Sequence, residues 1–308
     1  MINKKINIGI IGLGYLGNFH YQKFHNSSLC TIKWVIDTDT KTYKKIKDKK
    51  IKKGKDFHKI VDEVDAVSII TPTKTHYDIA KFFLKNKKHV LLEKPMTENA
   101  SQANELIKIA RKNKIILQIG HLERFNPVMK KLESEIKDPV FIEGHRLSEF
   151  NTRSTDINVI FDLMIHDIDI ISNIVKTKIN KISAFGKKII TSSTDIANVR
   201  LEFSGGCIAN LTASRISQKN ERKIRVFEKN KYWSVDFMNH KINKYSKVLK
   251  NKKYIFKKEN FSFSKKDSLQ SEINNFLNSC NGSENPLVTG TDGKNAIITA
   301  SKISKILK

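Results

Sequence analysis

Short apolar runs alternate with amphipathic stretches over about the first 120 residues of the chain. The runs are bounded by Gly, Pro and polar residues and are typical of buried strands; they occupy residues 6–11, 31–37, 65–70, 89–95 and 115–120. The stretches between them carry apolar residues at helical spacing, as in residues 97–113. This alternation predicts an α/β Rossmann domain, a doubly wound parallel sheet with ligands outside the carboxyl ends of its strands.

The pattern changes after Pro127. A strand at 140–150 and a helix at about 158–175 precede further strands at 181–190 and 253–261, and two hairpins turned at Gly205-Gly206 and near Asn230. They predict an α+β domain with a large, mostly antiparallel open-faced sheet. We therefore expect domains at 1–122 and 123–308, with a C-terminal helix at 292–308 as a candidate to pack back on the first domain. The open face of the sheet favours a homo-oligomer, a dimer or a tetramer.

The composition of the chain argues against several classes of protein and partner. No apolar run reaches the ~20 residues of a membrane span, and residues 1–10 carry no signal-peptide pattern, so we expect a cytoplasmic protein without membrane insertion. The net charge of +26 would suit a nucleic-acid partner, but only eight of the 57 basic residues are Arg and the lysines are scattered. We expect no nucleic acid, although such a field would attract anionic substrates. The three cysteines are far apart and predict neither disulfides nor a metal site.

A glycine motif follows the first apolar run. Gly12, Gly14 and Gly17 stand between a predicted strand and a predicted helix, where they would permit a tight turn, approach of a pyrophosphate and close helix packing. Tyr15 and Leu16, between the second and third glycines, would open the helix whose positive end receives the phosphates. The alternative is a glycine-rich turn that binds nothing.

Asp37 ends the second run, twenty residues past Gly17. Its carboxylate would accept hydrogen bonds from the adenosine ribose and repel a 2′-phosphate, which favours NAD over NADP. Lys41 and Lys44 lie close by in sequence and argue in the other direction.

Polar clusters end three later strands. Thr71-Pro72-Thr73, with His76 a few residues on, follows residues 65–70; Glu93-Lys94-Pro95 ends the next strand and Gly120-His121 the last. Because the carboxyl ends of parallel strands meet at one edge of a sheet, we expect these groups to contact ligands there.

The apolar stretch FDLMIHDIDI, residues 161–170, contains Asp162, His166 and Asp169 at positions i, i+4 and i+7 of a predicted helix. Neighbouring apolar residues would pack on the sheet and at the domain interface: Ile160, Leu163, Met164, Ile168 and Ile171. Burying a carboxylate and an imidazole costs several kcal/mol unless they are paired, so this face indicates either a satisfied pair or chemistry. Asp169 would orient His166 or cap a domain contact.

The glycine motif together with TPTKTH, LLEKPMT, GHLERFNP and DLMIHDID resembles the Gfo/Idh/MocA oxidoreductases, the family of glucose–fructose oxidoreductase and inositol dehydrogenase. The resemblance spans nearly the whole chain, up to the closing loop and helix from residue 281 onward. EKP after a strand, with DxxxH about 70 residues later, is specific in combination. The resemblance implies a Rossmann domain and a C-terminal domain whose open sheet often mediates oligomers.

The resemblance also implies roles. Lys94 would lie near the nicotinamide and the substrate hydroxyl, and Glu93 would meet the nicotinamide ribose. Asp162 and His166 would hold the substrate in a cleft opposite Lys94. Oxidation of a carbinol needs a base for the O–H proton, and either His166 or Lys94 could provide it.

Further substrate contacts are expected from residues near these motifs: His121, Arg124, Asn126, Arg146 and Arg153. The last two are scarce arginines that suit a diphosphate, because a guanidinium binds phosphate oxygens with two hydrogen bonds. Ion pairs with Glu149 or Asp156 are the alternative.

Residues 120–127, 162–170 and 197–217 resemble, more narrowly, the sugar dehydrogenases that act on UDP-N-acetylglucosamine in lipid A sugar modification. The expected function is NAD-dependent oxidation of a secondary sugar hydroxyl, C3 of a nucleotide-activated amino sugar, with no metal. The alternatives are an inositol- or glucose-type polyol dehydrogenase, an enzyme that recycles tightly held NAD, and a non-catalytic NAD-binding regulator.

Overall fold

The computed structural model describes residues 5–151 and 157–307. Two compact units divide the chain, and each draws on two separate segments. The first unit contains the chain up to Phe125 together with Asp267–Ile297, and the second contains Asn126–Lys266 and the chain from Ile298 onward. The expected division at 122/123 therefore differs from these units chiefly in residues 267–297, which join the first one.

The first unit is built on a six-stranded parallel sheet. Its strands are β1 (Ile6–Ile11), β2 (Cys30–Ile36), β3 (Lys52–Gly54), β4 (Ala66–Ile69), β5 (His89–Glu93) and β6 (Leu117–Gly120), in the order β3-β2-β1-β4-β5-β6. The intervening helices are α1 (Tyr15–His25), α2 (Thr73–Lys85) and α3 (Ala100–Asn113). This is the predicted doubly wound topology. The short strand β3 lies at the edge in a lysine-rich stretch that the pattern did not mark as a strand.

Apolar side chains of the sheet enter two separate cores. Ile11 and Ile69 pack with residues of α2 and α3, whereas Ile8 and Ile10 pack with residues of α1. Both faces of a parallel sheet are buried in this way, which explains the unbroken apolar runs in the sequence.

The second unit contains an eight-stranded sheet. The strands are β7 (Phe141–Leu147), β8 (Ile179–Lys187), β9 (Ile196–Phe203), β10 (Ile208–Ser214), β11 (Glu221–Glu228), β12 (Lys231–Asp236), β13 (Lys241–Lys250) and β14 (Lys253–Ser262). Their order is β14-β13-β12-β11-β7-β10-β9-β8, and every neighbouring pair is antiparallel except β7 with β10. Both predicted hairpins form, and the mostly antiparallel sheet is confirmed. Strand β13 was not predicted.

Two helices cover one face of this sheet, α4 (Pro127–Glu135) and α5 (Ile165–Val175), with a π-helical turn at Ile160–Met164 leading into α5. The expected helix at 158–175 is thus a π-helical turn followed by an α-helix. Ile168 and Ile171 are fully buried in the core beside the inward side chains of β9 and β10.

The chain ends in two more helices, α6 (Ser268–Cys280) and α7 (Gly290–Ile306). Ile273 and Phe276 of α6 are fully buried in the core that contains Ile8 and Ile10. The division between the units falls inside α7. Within the described chain, no helix combines the length and the apolar character needed to cross a membrane.

Candidate active site

The three glycines in the turn between β1 and α1 differ in what an added Cβ would meet. Gly12 has a φ of +93°, and a Cβ there would collide with the carbonyl oxygen of Ile70; a Cβ on Gly17 would collide with the carbonyl oxygen of Gly12. These two glycines are required by the packing of the chain itself. A Cβ on Gly14 would meet no described atom within 4 Å. The open space at Gly14 fits a group that approaches the backbone from outside, as a dinucleotide diphosphate does.

A cavity of about 620 Å³ adjoins this turn. Gly12 and Gly14 line it together with Asp37, Thr71 and Pro72. These are five of the residues predicted to bind the cofactor, and they come from three separate strand ends. Tyr15 and Leu16 are exposed on the first turn of α1, next to the lining glycines.

Asp37 is fixed by two backbone donors. Its Oδ2 accepts a hydrogen bond from the N–H of Leu13 at 2.6 Å, and its Oδ1 accepts one from the N–H of Asp39 at 2.8 Å. The cationic side chains that line the cavity are Lys55 and Lys74. Lys41 and Lys44, the lysines that the sequence suggested, lie on the 3₁₀ helix Thr40–Lys45.

His76 joins two strand-end loops. Its ring is buried, with Nδ1 at 2.9 Å from the carbonyl oxygen of Pro95 and Nε2 at 2.8 Å from that of Thr71. Burial lowers the pKa of His76, against the effect of these carbonyls. The contacts place His76 as a brace between the loop after β4 and the loop after β5. Thr73, the third residue of the first loop, begins α2.

Glu93 and Lys94 stand at the end of β5. Glu93 is 9% exposed; its Oε1 lies 3.2 Å from Nε2 of His20, and its Oε2 accepts a hydrogen bond from the N–H of Lys94 at 3.1 Å. Burial alone would raise the pKa of Glu93, but the hydrogen bond with His20 and the charges of His20 and Lys94 outweigh it and hold the pKa below its ordinary value. Both carboxylate oxygens thus have partners within the protein, while the side chain of Lys94 is half-buried.

His20 was missed by the sequence analysis. It lies on α1, three residues past Gly17, fully buried, with Nδ1 at 3.1 Å from Oγ of Ser68. The sequence feature that could have revealed His20 is its position about one turn after Gly17, on the side of α1 that faces the sheet.

The residues expected after the sixth strand are buried. His121 is 1% exposed and Arg124 7% exposed. Asn126, at the start of the second unit, caps α4: its Oδ1 accepts from the N–H of Val128 at 3.3 Å, and its Nδ2 donates to the carbonyl oxygen of Phe237 at 3.0 Å. Substrate contacts by these three residues stay predictions.

In the second unit, Asp162 lies in the π-helical turn and His166 in the first turn of α5. Both side chains are half-buried, whereas Ile160 and Met164 are fully buried. π-Helical turns within helices recur at functional sites because the extra residue shifts the direction of the side chains around it. This local irregularity marks the Asp162/His166 segment as a candidate site.

Arg146 forms a buried ion pair. The residue is 3% exposed, and its guanidinium reaches Asp167 with Nε at 3.1 and 3.0 Å from the two carboxylate oxygens and Nη2 at 2.8 Å from Oδ1. The sequence had suggested Glu149 or Asp156 as alternatives to a diphosphate, and Asp167 was not anticipated. Asp169 is also buried. Arg153 and Asp156 lie outside the described residues.

Comparison with known proteins decides the family. The model of the "Oxidoreductase family, NAD-binding Rossmann fold" matches residues 6–121, and that of the "GFO/IDH/MocA C-terminal domain" matches residues 130–230. The chain belongs to the Gfo/Idh/MocA oxidoreductase family. As a member of this family it is an oxidoreductase with an NAD-binding Rossmann domain, as the motifs predicted.

Individual relatives cover almost the whole of this Gfo/Idh/MocA chain. It is 32% identical to UDP-N-acetylglucosamine 3-dehydrogenase of Acidithiobacillus ferrooxidans over 96% of its length and 95% of the relative's. A solved structure of that enzyme superposes with a TM-score of 0.91 at 31% identity, covering 99% and 98% of the two chains. Myo-inositol 2-dehydrogenase of Thermotoga maritima is 26% identical over 98% of this chain and 96% of the relative.

Proposed function

We propose that the protein is an NAD-dependent dehydrogenase that oxidises the C3 hydroxyl of UDP-N-acetylglucosamine. The observation that carries the proposal is the 32% identity, over nearly the full length of both chains, to an enzyme named for that reaction. Lys94 at the end of β5 and the Asp162/His166 pair beside a π-helical turn support it, because they supply the acid–base groups that alcohol oxidation needs.

Bound NAD would supply the nicotinamide ring that accepts the hydride. The turn at Gly12, Gly14 and Gly17 would hold its diphosphate at the amino end of α1, where unpaired N–H groups favour anions. Asp37, held in place by the N–H groups of Leu13 and Asp39, would accept the ribose hydroxyls. Since a carboxylate there repels a 2′-phosphate, we propose NAD rather than NADP as the cofactor.

Side chains of the protein would accept the proton of the substrate hydroxyl. The alcohol loses its O–H proton to a base and its C3–H as a hydride, which gives a 3-keto sugar, NADH and one proton. We propose His166 or Lys94 as that base, the other stabilising the developing alkoxide. Asp162 would orient the imidazole or bind a neighbouring hydroxyl. A ketone at C3 is what a following transamination requires, in keeping with the expected role in lipid A sugar modification.

Charge supports an anionic substrate. The chain has 57 basic and 31 acidic residues, and such an excess raises the local concentration of a nucleotide sugar.

We also propose self-association through the second unit. Large apolar side chains are exposed on β13 and β14: Leu249, Tyr254, Ile255 and Phe256. A twin subunit would remove them from water. Light scattering on the purified protein should give a dimer or tetramer mass, and a monomer mass at working concentration would contradict this.

To test the activity, the purified protein is incubated with NAD and UDP-N-acetylglucosamine, and the formation of NADH is measured by its absorbance. We expect turnover with NAD that greatly exceeds turnover with NADP. Parallel reactions contain myo-inositol and glucose. Turnover with a free polyol but none with the nucleotide sugar would contradict the substrate proposal and favour the polyol alternative, to which the 26% identity with a myo-inositol 2-dehydrogenase points.

A further inference from the structure

Three buried ionisable side chains meet beneath the end of β5. His20 of α1 and Glu272 of α6 are fully buried, and Glu93 is 9% exposed. One polar atom from each lies within 4.8 Å of the corresponding atoms of the other two. We call these three residues the buried acid cluster. The proposed reaction gives Glu272 no task, and the sequence motifs did not include it.

The two carboxyl groups of the buried acid cluster differ in their hydrogen-bond donors. Glu93 lies within hydrogen-bonding distance of the His20 ring and accepts the N–H of Lys94. Neither carboxyl oxygen of Glu272 has a hydrogen-bond partner among residues 5–151 and 157–307. The side-chain amide of Gln118 on β6 donates to the backbone carbonyl of Glu272 at 3.1 Å, not to its carboxyl group.

Two carboxylates this close, away from water, cannot both be ionised, because the second negative charge is neither solvated nor paired. The proton belongs on the group without donors, since hydrogen bonds from N–H groups stabilise only the ionised form. Burial and the negative charge of Glu93 both raise the pKa of Glu272 well above its ordinary value, in agreement with the geometry.

We propose that Glu272 is a neutral carboxylic acid, which leaves Glu93 as the single carboxylate of the buried acid cluster, and that Glu272 acts as a positioning residue for Lys94. With Glu272 neutral, Glu93 stays ionised and holds the N–H of Lys94. The part of the proposal that concerns Lys94 rests on the proposed function; the protonation of Glu272 does not.

Other charged groups on the elements around α6 have to be considered. From α1, Lys23 pairs with Asp267 at 2.6 Å, at the amino end of α6. The 3₁₀ turn Leu122–Phe125 also packs on α6 and carries Glu123 and Arg124. The groups within reach of the Glu272 carboxyl in the buried acid cluster are His20 and Glu93.

The first experiment compares thermal unfolding of the wild type and Glu272→Gln from pH 4 to pH 8. An acid whose pKa is higher in the folded state than in the unfolded state binds more protons when folded, so the wild type loses stability as the pH rises above the ordinary glutamate value of about 4. Glutamine resembles the protonated acid in shape and does not titrate. We therefore expect equal Tm values near pH 4 and a Tm about 2 °C or more higher for E272Q at pH 8.

Ser279→Ala is the matched control. Ser279 is a second buried side chain on α6 whose hydroxyl has no described hydrogen-bond partner. The difference in Tm between Ser279→Ala and the wild type should be the same at pH 4 and at pH 8. A Tm of E272Q below that of the wild type at pH 8, or stoichiometric metal in the purified protein, would overturn the proposal, because Glu272 would then be an ionised group with a partner.

Infrared spectroscopy tests the proton directly. The difference spectrum between the wild type and E272Q at neutral pH should contain the carbonyl stretch of a protonated carboxylic acid. A carboxylate signature in its place would overturn the proposal, whatever the substrate of the enzyme proves to be.

Kinetics test the positioning role. Glu272→Ala removes the carboxyl and leaves a cavity beside Glu93, so kcat should fall about tenfold, and the conservative E272Q should restore it. The KM for NAD should move little in both variants. Equal kcat values for E272A and the wild type would overturn the positioning role. If the wild type shows no turnover, the proposed function fails, and the thermal and infrared experiments still decide the protonation of Glu272.

Discussion

The two sheets of this protein present candidate functional residues in different ways. In the parallel sheet they follow the ends of four strands that are neighbours in the sheet: Gly12 after β1, Asp37 after β2, Thr71 after β4 and Lys94 after β5. In the antiparallel sheet they lie on a covering helical segment, with Asp162 and His166 on either side of a change from π- to α-helix. A parallel sheet collects its ligand contacts by topology alone, whereas the second unit depends on the local geometry of one segment.

The largest effect is expected at the strand end. Lys94→Ala should lower kcat about 10³-fold, because an acid–base or alkoxide-stabilising group is lost, while NAD binding, measured by fluorescence or calorimetry, persists. Lys85→Ala, at the exposed end of α2, is the control and should retain full kcat. A near-normal kcat for K94A would show that the residue at the end of β5 does not take part in catalysis.

The matching change on the helical segment is His166→Gln. We expect kcat to fall about 10²-fold, because the imidazole can no longer exchange the hydroxyl proton, with NAD affinity unchanged. Ser172→Ala on the same helix controls for disturbance of α5. A loss of NAD affinity in H166Q equal to its loss of kcat would contradict the assignment of His166 to the substrate.

The ion pair between β7 and α5 should matter for stability. Arg146→Met takes the guanidinium away from the buried carboxylate of Asp167 and should lower the free energy of unfolding by about 3 kcal/mol in denaturant titrations. Arg146→Met with Asp167→Leu removes both charges and should recover most of that loss. Arg225→Met, which breaks the exposed pair with Glu143, is the control, with an expected change below about 1 kcal/mol. If the double variant is stable and its KM for the nucleotide sugar is unchanged, Arg146 is not a diphosphate ligand.

The smallest effect separates two glycines of one motif. Gly14→Ala should leave the Tm of the cofactor-free protein unchanged, because its Cβ enters open space, yet weaken NAD binding about tenfold. Gly12→Ala should lower the Tm itself, since the position has a positive φ and a carbonyl blocks the Cβ. Equal Tm losses in the two variants would show that Gly14 serves folding rather than the cofactor.

Much of the parallel sheet was predictable because its buried strands are continuous apolar runs. The strands that were missed, β3 and β13, are rich in lysine. In β13 a lysine recurs at every third position, and only Ile242 is fully buried while the other residues are half-buried or exposed, so no apolar run marks the strand. Helix α6 was overlooked because its apolar residues are spaced among Asn, Gln and Ser in a segment between the recognised motifs.

The candidate site was predictable as a set of residues but not as a set of contacts. Which carboxylate pairs with Arg146 depends on how α5 lies on β7, and nothing local in the sequence encodes that. The same holds for His20, Glu93 and Glu272, which are separated by 73 and 179 residues along the chain and meet only in the folded first unit.

The place of α6 in the core of the first unit bears on how the chain is made. Ile273, Phe276 and Leu277 share a core with Ile6, Ile8 and Ile10, although more than 250 residues separate them. When β6 has just left the ribosome, all six strands of the parallel sheet have been made, but α6, which covers part of one face of that sheet, has not. The apolar surface that α6 covers stays exposed until α6 itself has been made, so the core of the first unit is completed only after the strands of the second unit have been synthesised.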